Sequence, residues 1–154
     1  MRRDQKNSNI SEYLENVIEI KRVSKKTQGG SNISFSALVV VGNKKGSVGV
    51  GYGKGRDVTT AISKAIAKAK KELVTIPIKE GTILHEVRDS YGSAKVLLKP
   101  APKGAGIIAG GSVRTVLELS GIKDISAKML GSNNKICNIK STLNALQKVK
   151  SRVN

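Results

Sequence analysis

Residues 47–73 read SVGVGYGKGRDVTTAISKAIAKAKKEL, and they carry the clearest structural signal in the chain. From Ser47 to Lys54, Val48, Val50 and Tyr52 alternate with Gly49, Gly51 and Gly53. A period of two is the signature of a strand, because successive side chains point to opposite faces. One face of this strand is bare backbone, so another element must pack unusually close against it. Asp57 then stands where an N-cap belongs, since its short side chain can accept an orphan backbone N–H. The helix it opens has Val58, Ile62, Ala65, Ile66, Ala69 and Leu73 as its apolar stripe, with Lys64, Lys68 and Lys71 on the opposite side.

Upstream, Gly42-Asn43-Lys44-Lys45-Gly46 has the composition of a hairpin connection. Ser34 to Gly42 alternates and then turns continuously apolar, as a strand entering a core does. Ser24 to Asn32 reads as a loop centred on Gly29-Gly30. In residues 9–23, helical spacing of Ile10, Leu14, Val17 and Ile18 gives way to alternation, which is read as a short helical turn followed by a strand. Residues 1–8 read as a flexible basic tail.

Downstream, Pro77 and Gly81 mark a linker at 77–82. Two strands are expected over Thr82 to Asp89 and Ala94 to Lys99, joined at Ser90-Tyr91-Gly92. A glycine-rich turn at 103–111 leads to a helix from about Ser112 to Leu119. A loop with a short strand over Ile122 to Leu130 and a last helix from about Asn134 to Val149 follow. The stripe of that helix is Ile136, Ile139, Leu143, Leu146 and Val149. The expected fold is α+β, with two small α/β units at 9–76 and 83–150 and a tail at 151–154.

The 154 residues carry a formal net charge of +17, and the pI is about 10.2. Such an excess calls for a polyanionic partner, since each Lys or Arg that neutralises a phosphate releases condensed counterions. No stretch approaches the ~20 apolar residues of a spanning helix, so no membrane association is expected. The N-terminus lacks the apolar segment of a secretory signal, which makes the cytoplasm the expected location. One cysteine, Cys137, and one histidine, His85, cannot supply the usual four ligands of a structural zinc site; Cys137 reads as inert core and His85 as a plain structural or surface residue. With no Trp and a single Phe, base-stacking platforms are not expected.

The distribution of charge says more than its total. Between Glu19 and Asp57 there is no acid, yet there are eight bases: Lys21, Arg22, Lys25, Lys26, Lys44, Lys45, Lys54 and Arg56. A face that is merely solvated usually mixes signs. Lys outnumbers Arg heavily, and Lys acts as a point charge rather than a fork, which favours phosphate and shape recognition over reading base edges. Double-stranded RNA is bound in that way. The RNA contacts expected from charge are these eight residues together with Lys64 and Lys68 of the helix.

Two glycine motifs suggest nucleotide chemistry and fail on context. Gly104-Ala105-Gly106-Ile107-Ile108-Ala109 matches a dinucleotide fingerprint, with Asp124 about the right distance downstream. However, Pro100 and Pro102 interrupt the preceding strand, and too little chain follows for a doubly wound sheet. In Gly51-Tyr52-Gly53-Lys54-Gly55, the lysine is followed by Gly rather than the Ser or Thr of a phosphate-binding loop. His85 has no Ser or Cys nucleophile in a recognisable setting. Neither an enzyme nor a cofactor is expected.

Several segments also resemble a known family. Ile20-Lys21-Arg22-Val23-Ser24-Lys25, the Gly29-Gly30 turn, Phe35 to Gly42 and Val48 to Lys54 are similar to the N-terminal domain of bacterial small-subunit ribosomal protein five. Gly104 to Arg114 and Ala127 to Ser132 resemble its C-terminal domain, so the likeness runs in family order over about residues 12–150. The resemblance implies a double-stranded-RNA-binding-like first unit and the family's own α/β second domain. It implies a structural role in the small subunit: binding its ribosomal RNA, touching neighbouring proteins four and eight, helping to form the messenger entry path and supporting decoding accuracy. It matches the Gly29-Gly30 turn to a family loop that reaches toward RNA, and Gly104, Gly106 and Arg114 to the contact with protein four. The expected location is then a cytoplasmic or organellar ribosome. The alternative is a free-standing double-stranded-RNA-binding regulator.

Overall fold

A computed structural model describes residues 13–151. The expected tail at 1–8, Ile10 and residues 152–154 lie outside the described residues. The chain forms two compact units that do not simply follow chain order. One comprises Glu15–Val41 with Gly49–Leu73; the other contains Gly42–Val48 and the chain from Val74 onward.

Strands β1 (Leu14–Thr27), β2 (Gly30–Gly42) and β3 (Ser47–Gly55) precede helix α1 (Val58–Lys71), and β4 (Val74–Thr75) completes a sheet of order β1-β2-β3-β4. The strand-strand-strand-helix order matches the sequence reading. The bare glycine face of β3 receives α1. A methyl group at Gly49 would collide with the Ala69 carbonyl oxygen, one at Gly51 with that of Ala65, and one at Gly53 would lie 2.6 Å from that of Ala61. This close approach shifts the buried stripe of α1 to Ala61, Ala65 and Ala69, whereas Ile62 and Ile66 are only half-buried. Large side chains on the contact line would hold the helix too far away. Asp57 occupies the N-cap position with extended backbone (φ −118°, ψ 156°), but its side chain makes no cap hydrogen bond. Lys68, Lys70 and Lys71 in the last turn complement the helix dipole.

The helical turn expected near Leu14–Ile18 is strand instead. Val17, Ile18, Ile20 and Val23 are β-branched and stiff at χ1, and β2 supplies a hydrogen-bonding neighbour that no isolated turn has. The loop expected over Ser24 to Asn32 is likewise almost entirely strand. It narrows to a tight turn at Gln28-Gly29, where the Thr27 hydroxyl donates to the Gly30 carbonyl at 2.8 Å and Gly30 adopts φ +126°. Ser24 to Thr27, Gly30 and Asn32 are exposed, so their polar composition gave no periodic signal.

The other unit contains β5 (Val87–Tyr91), β6 (Ala94–Pro100), β7 (Ile107–Ile108), α2 (Gly111–Ser120), β8 (Ile125–Met129) and α3 (Lys135–Ser151). Its sheet has the order β5-β6-β8-β7; β5, β6 and β8 are antiparallel neighbours, and β7 runs parallel to β8. The β7-α2-β8 segment is thus a crossover unit, which is why a helix separates two neighbouring strands. Val96, Leu98, Val116, Leu117, Ile125, Ile139 and Leu146 are fully buried and form its core. The Ser141 hydroxyl of α3 donates to the Asp89 carbonyl of β5 at 3.1 Å.

The strand expected from Thr82 starts at Val87 instead. Residues 79–82 close a small loop with reciprocal Lys79 and Thr82 backbone bonds of 2.9 and 3.0 Å, and Gly81 at φ +80° breaks any strand path there. The β5–β6 turn falls at Gly92-Ser93, one step later than read, because Gly92 takes the left-handed φ of +58°.

Candidate nucleic-acid interface

The β1–β2 ribbon carries the densest part of the expected set. β1 and β2 have 14 and 13 residues, whereas β3 has 9, so the far end of the ribbon is two-stranded. At about 3.3 Å per residue, β1 is roughly 45 Å long. Lys21, Arg22, Lys25 and Lys26 are exposed along it, and nothing lies within 4 Å of where a Cβ would sit at Gly29 or Gly30. Val17, Ile20, Val23 and Ile33 on the same ribbon are about 40% exposed. Apolar and basic side chains therefore share a surface that the unit's own core does not need. Among the described basic residues of the expected set, Lys21 alone has an acidic neighbour, Glu19 at 3.8 Å.

The remaining expected residues do not gather into one patch. On β3, the glycines face α1, so Lys54 projects from the opposite sheet face beyond Val50 and Tyr52. Arg56 is exposed at the β3–α1 junction. Lys64 and Lys68 are exposed one turn apart on α1, away from the alanine stripe, as their spacing implied.

Lys44 and Lys45 belong to the other unit. Asn43 Oδ1 accepts the N–H of Lys45 at 2.8 Å and of Ser47 at 3.1 Å, which shapes the turn. The Lys44 N–H donates to the Leu119 carbonyl at 2.9 Å, and the Gly46 N–H to that of Ser120 at 2.8 Å. There the two lysines line an open-sided cavity together with Lys103 and Lys123. Sequence reading did not select Lys103 and Lys123, which are single lysines outside the acid-free basic stretch.

The glycine turn is organised from inside the unit. Gly104 and Gly106 have φ of +94° and +76°, and their N–H groups both donate to Asp124 Oδ1, at 3.2 and 2.9 Å. An anion is what a dinucleotide fingerprint would bind with such amides; here the protein's own carboxylate takes them. Arg114 in α2 is exposed and pairs with Glu118 one turn on at 3.0 Å, which answers the unfavourable placement of a cation near a helix start. His85 holds Nδ1 3.0 Å from the Glu86 carbonyl oxygen, and Cys137 is a free, half-buried thiol on α3. Among the described residues, no helix is long and apolar enough to cross a membrane, and no cluster of three or more acidic, His or Cys side chains could hold a metal ion.

Comparison with known proteins places this architecture. Residues 13–77 match the family model for ribosomal protein S5, N-terminal domain, and residues 89–153 match that for ribosomal protein S5, C-terminal domain. The chain is 48% identical over 142 residues to the small ribosomal subunit protein uS5c of Rhodomonas salina, covering 92% of this chain and 84% of that protein. It is 51% identical over 141 residues to the uS5 protein of Crocosphaera subtropica, with 91% and 82% covered. With the uS5 protein of Thermotoga neapolitana it shares 51% identity over 138 residues, covering 90% and 78%. Two family models in order and relatives at this identity leave one assignment: the chain belongs to the ribosomal protein S5 family, structural proteins of the small ribosomal subunit rather than enzymes.

Proposed function

We propose that this chain binds small-subunit ribosomal RNA chiefly through backbone phosphates, with the β1–β2 ribbon as its principal contact. The observation that carries this reading is the exposed run Lys21, Arg22, Lys25 and Lys26 beside an unobstructed Gly29-Gly30 tip. Lys54, Arg56, Lys64 and Lys68 extend the same chemistry onto β3 and α1, and Lys44 and Lys45 onto the other unit. The Gly104–Gly106 turn with Arg114 is the face offered to ribosomal protein four, a junction tied to decoding accuracy. Protein eight is a second neighbour, and messenger RNA passes nearby. The Arg114–Glu118 pair is exposed on both sides, so Arg114 can exchange this carboxylate for one across an interface.

The test is reconstitution. Small subunits assembled with a chain in which Lys21, Arg22, Lys25 and Lys26 are replaced by Gln should incorporate the protein weakly and lose it on a high-salt wash. Wild-type protein should co-sediment under the same wash. Equal retention of both proteins would remove the ribbon from the RNA contact.

A further inference from the structure

The cavity that contains Lys44 and Lys45 has a volume of about 1000 Å³ and is built entirely within one unit. Its lysines come from three separate stretches of chain: Lys44 and Lys45 from the β2–β3 turn, Lys103 from the glycine turn, and Lys123 from the segment before β8. All four are exposed, and among the described residues none has a carboxylate within ion-pair distance.

Two acids share the lining, Glu80 and Asp124. Asp124 is 7% exposed, and its Oδ1 is committed to the N–H groups of Gly104 and Gly106. It therefore works as an internal brace for the turn that presents Lys103. The balance of the lining is four cations against two acids, one of them already engaged.

The backbone around this cavity is under constraint. Lys44 (φ 57°) and Glu80 (φ 53°) are the two non-glycine residues with positive φ among those described, and both line it. Such conformations persist where the surroundings over-determine them, and they concentrate at binding sites. The Lys44 main chain is held by its bond to the Leu119 carbonyl, and Gly121, at φ +96°, lies so close that an added methyl would collide with the Lys44 carbonyl oxygen. A fixed main chain thus carries a free ammonium group.

We infer that this cavity takes the phosphodiester backbone of an RNA strand, with Lys103 and Lys123 as contacts alongside Lys44 and Lys45. The inference rests on the RNA-binding reading above and adds a second site to it; of the residues proposed for the contact with protein four, Gly104 lines the cavity and Gly106 and Arg114 do not. The lining has lysines and no arginine, which suits point contact with phosphates rather than bidentate grasp of a carboxylate. It has no aromatic ring on which a base could stack, so the backbone is the part recognised. Ile78 is its one large apolar residue, unlike the mostly apolar lining of a small-molecule pocket.

The experiment uses the full chain and deproteinised small-subunit ribosomal RNA. The salt dependence of binding is compared for wild type, Lys103→Gln/Lys123→Gln, and a charge-matched control, Lys128→Gln/Lys135→Gln. Removing two phosphate contacts, at about 0.7 to 0.9 each, should flatten the slope of log K against log salt by about 1.4 to 1.8, with the control near wild type. In parallel, acetylation of wild-type lysines read by mass spectrometry should show Lys103 and Lys123 protected once RNA is bound. Equal slopes for wild type and the cavity variant, equal losses in variant and control, or undiminished acetylation at both lysines would each overturn the inference. So would protection seen in assembled subunits but not with RNA alone, which would assign the cavity to a neighbouring protein. A wild-type chain whose RNA binding ignores salt would instead defeat the broader reading, whatever the variants do.

Discussion

Asp124 accepts the Gly106 N–H at 2.9 Å across eighteen residues of chain, and the same oxygen accepts the Gly104 N–H at 3.2 Å. One carboxylate thereby holds a turn built from two left-handed glycines, and the Asp124 N–H is itself fixed to the Gly81 carbonyl at 2.9 Å. Asp124→Ala leaves both amides without this partner. Hydrogen bonds to a charged group contribute about 1.5–3 kcal/mol each, and water replaces part of the loss in a turn this open, so the variant should be about 2–3 kcal/mol less stable in urea unfolding. A change under about 0.5 kcal/mol would mean the turn stands without its brace. Because these amides are occupied, calorimetry on the wild type should detect no binding of NAD at millimolar ligand.

Gly51→Ala and Gly29→Ala should separate the two uses of glycine in this chain. The added methyl at Gly51 meets the Ala65 carbonyl oxygen, which is helix backbone and cannot swing aside, whereas at Gly29 it meets open space. Overpacking in a tight core costs typically 1–3 kcal/mol and more where backbone must move, so Gly51→Ala should lose about 3 kcal/mol or fail to fold. Gly29→Ala should stay within about 0.5 kcal/mol of wild type. Chemical denaturation of both variants checks this, and equal stability would show that α1 does not rest on the β3 glycines.

Replacing Lys21, Arg22, Lys25 and Lys26 with Gln should leave the thermal melt unchanged, since all four are exposed. The slope of log K for ribosomal RNA against log salt should fall by about 3, at 0.7 to 0.9 per phosphate neutralised. Filter binding across a salt series measures it. An unchanged slope would show that the ribbon reaches into solvent rather than to phosphates.

Arg114→Leu removes an exposed i,i+4 pair with Glu118, which is worth about 0.3–0.5 kcal/mol, so the free protein should melt almost as wild type does. If Arg114 faces a neighbouring ribosomal protein, assembled ribosomes carrying the variant should read through stop codons more often. A stop-codon reporter run beside the melt distinguishes the cases: normal readthrough marks an ordinary surface arginine, and a large loss of stability marks a residue serving the fold.

Whatever depends on neighbours along the chain is legible in the residues alone. Period-two glycines from Gly49 to Gly53 announced a strand covered closely by the next helix, and the exposed lysine face of α1 followed from spacing alone. The acid-free basic stretch set the class of partner, since charge content does not require a fold to be read. The rest follows from contacts between distant segments. The α1 stripe centres on Ala61 because the distance to bare backbone selects the smallest side chain, which hydrophobicity does not rank first. Leu14–Ile18 became strand because β2 lies beside it, and Ser24 to Asn32 became ribbon because backbone pairing, with no apolar periodicity, extends it. Lys103 and Lys123 join Lys44 and Lys45 only when turns far apart in sequence close on one cavity, and Asp124 becomes a brace only once the glycine turn folds over it. Local periodicity is written in consecutive residues, whereas these encounters depend on where the intervening chain puts its ends, which no stretch of sequence states.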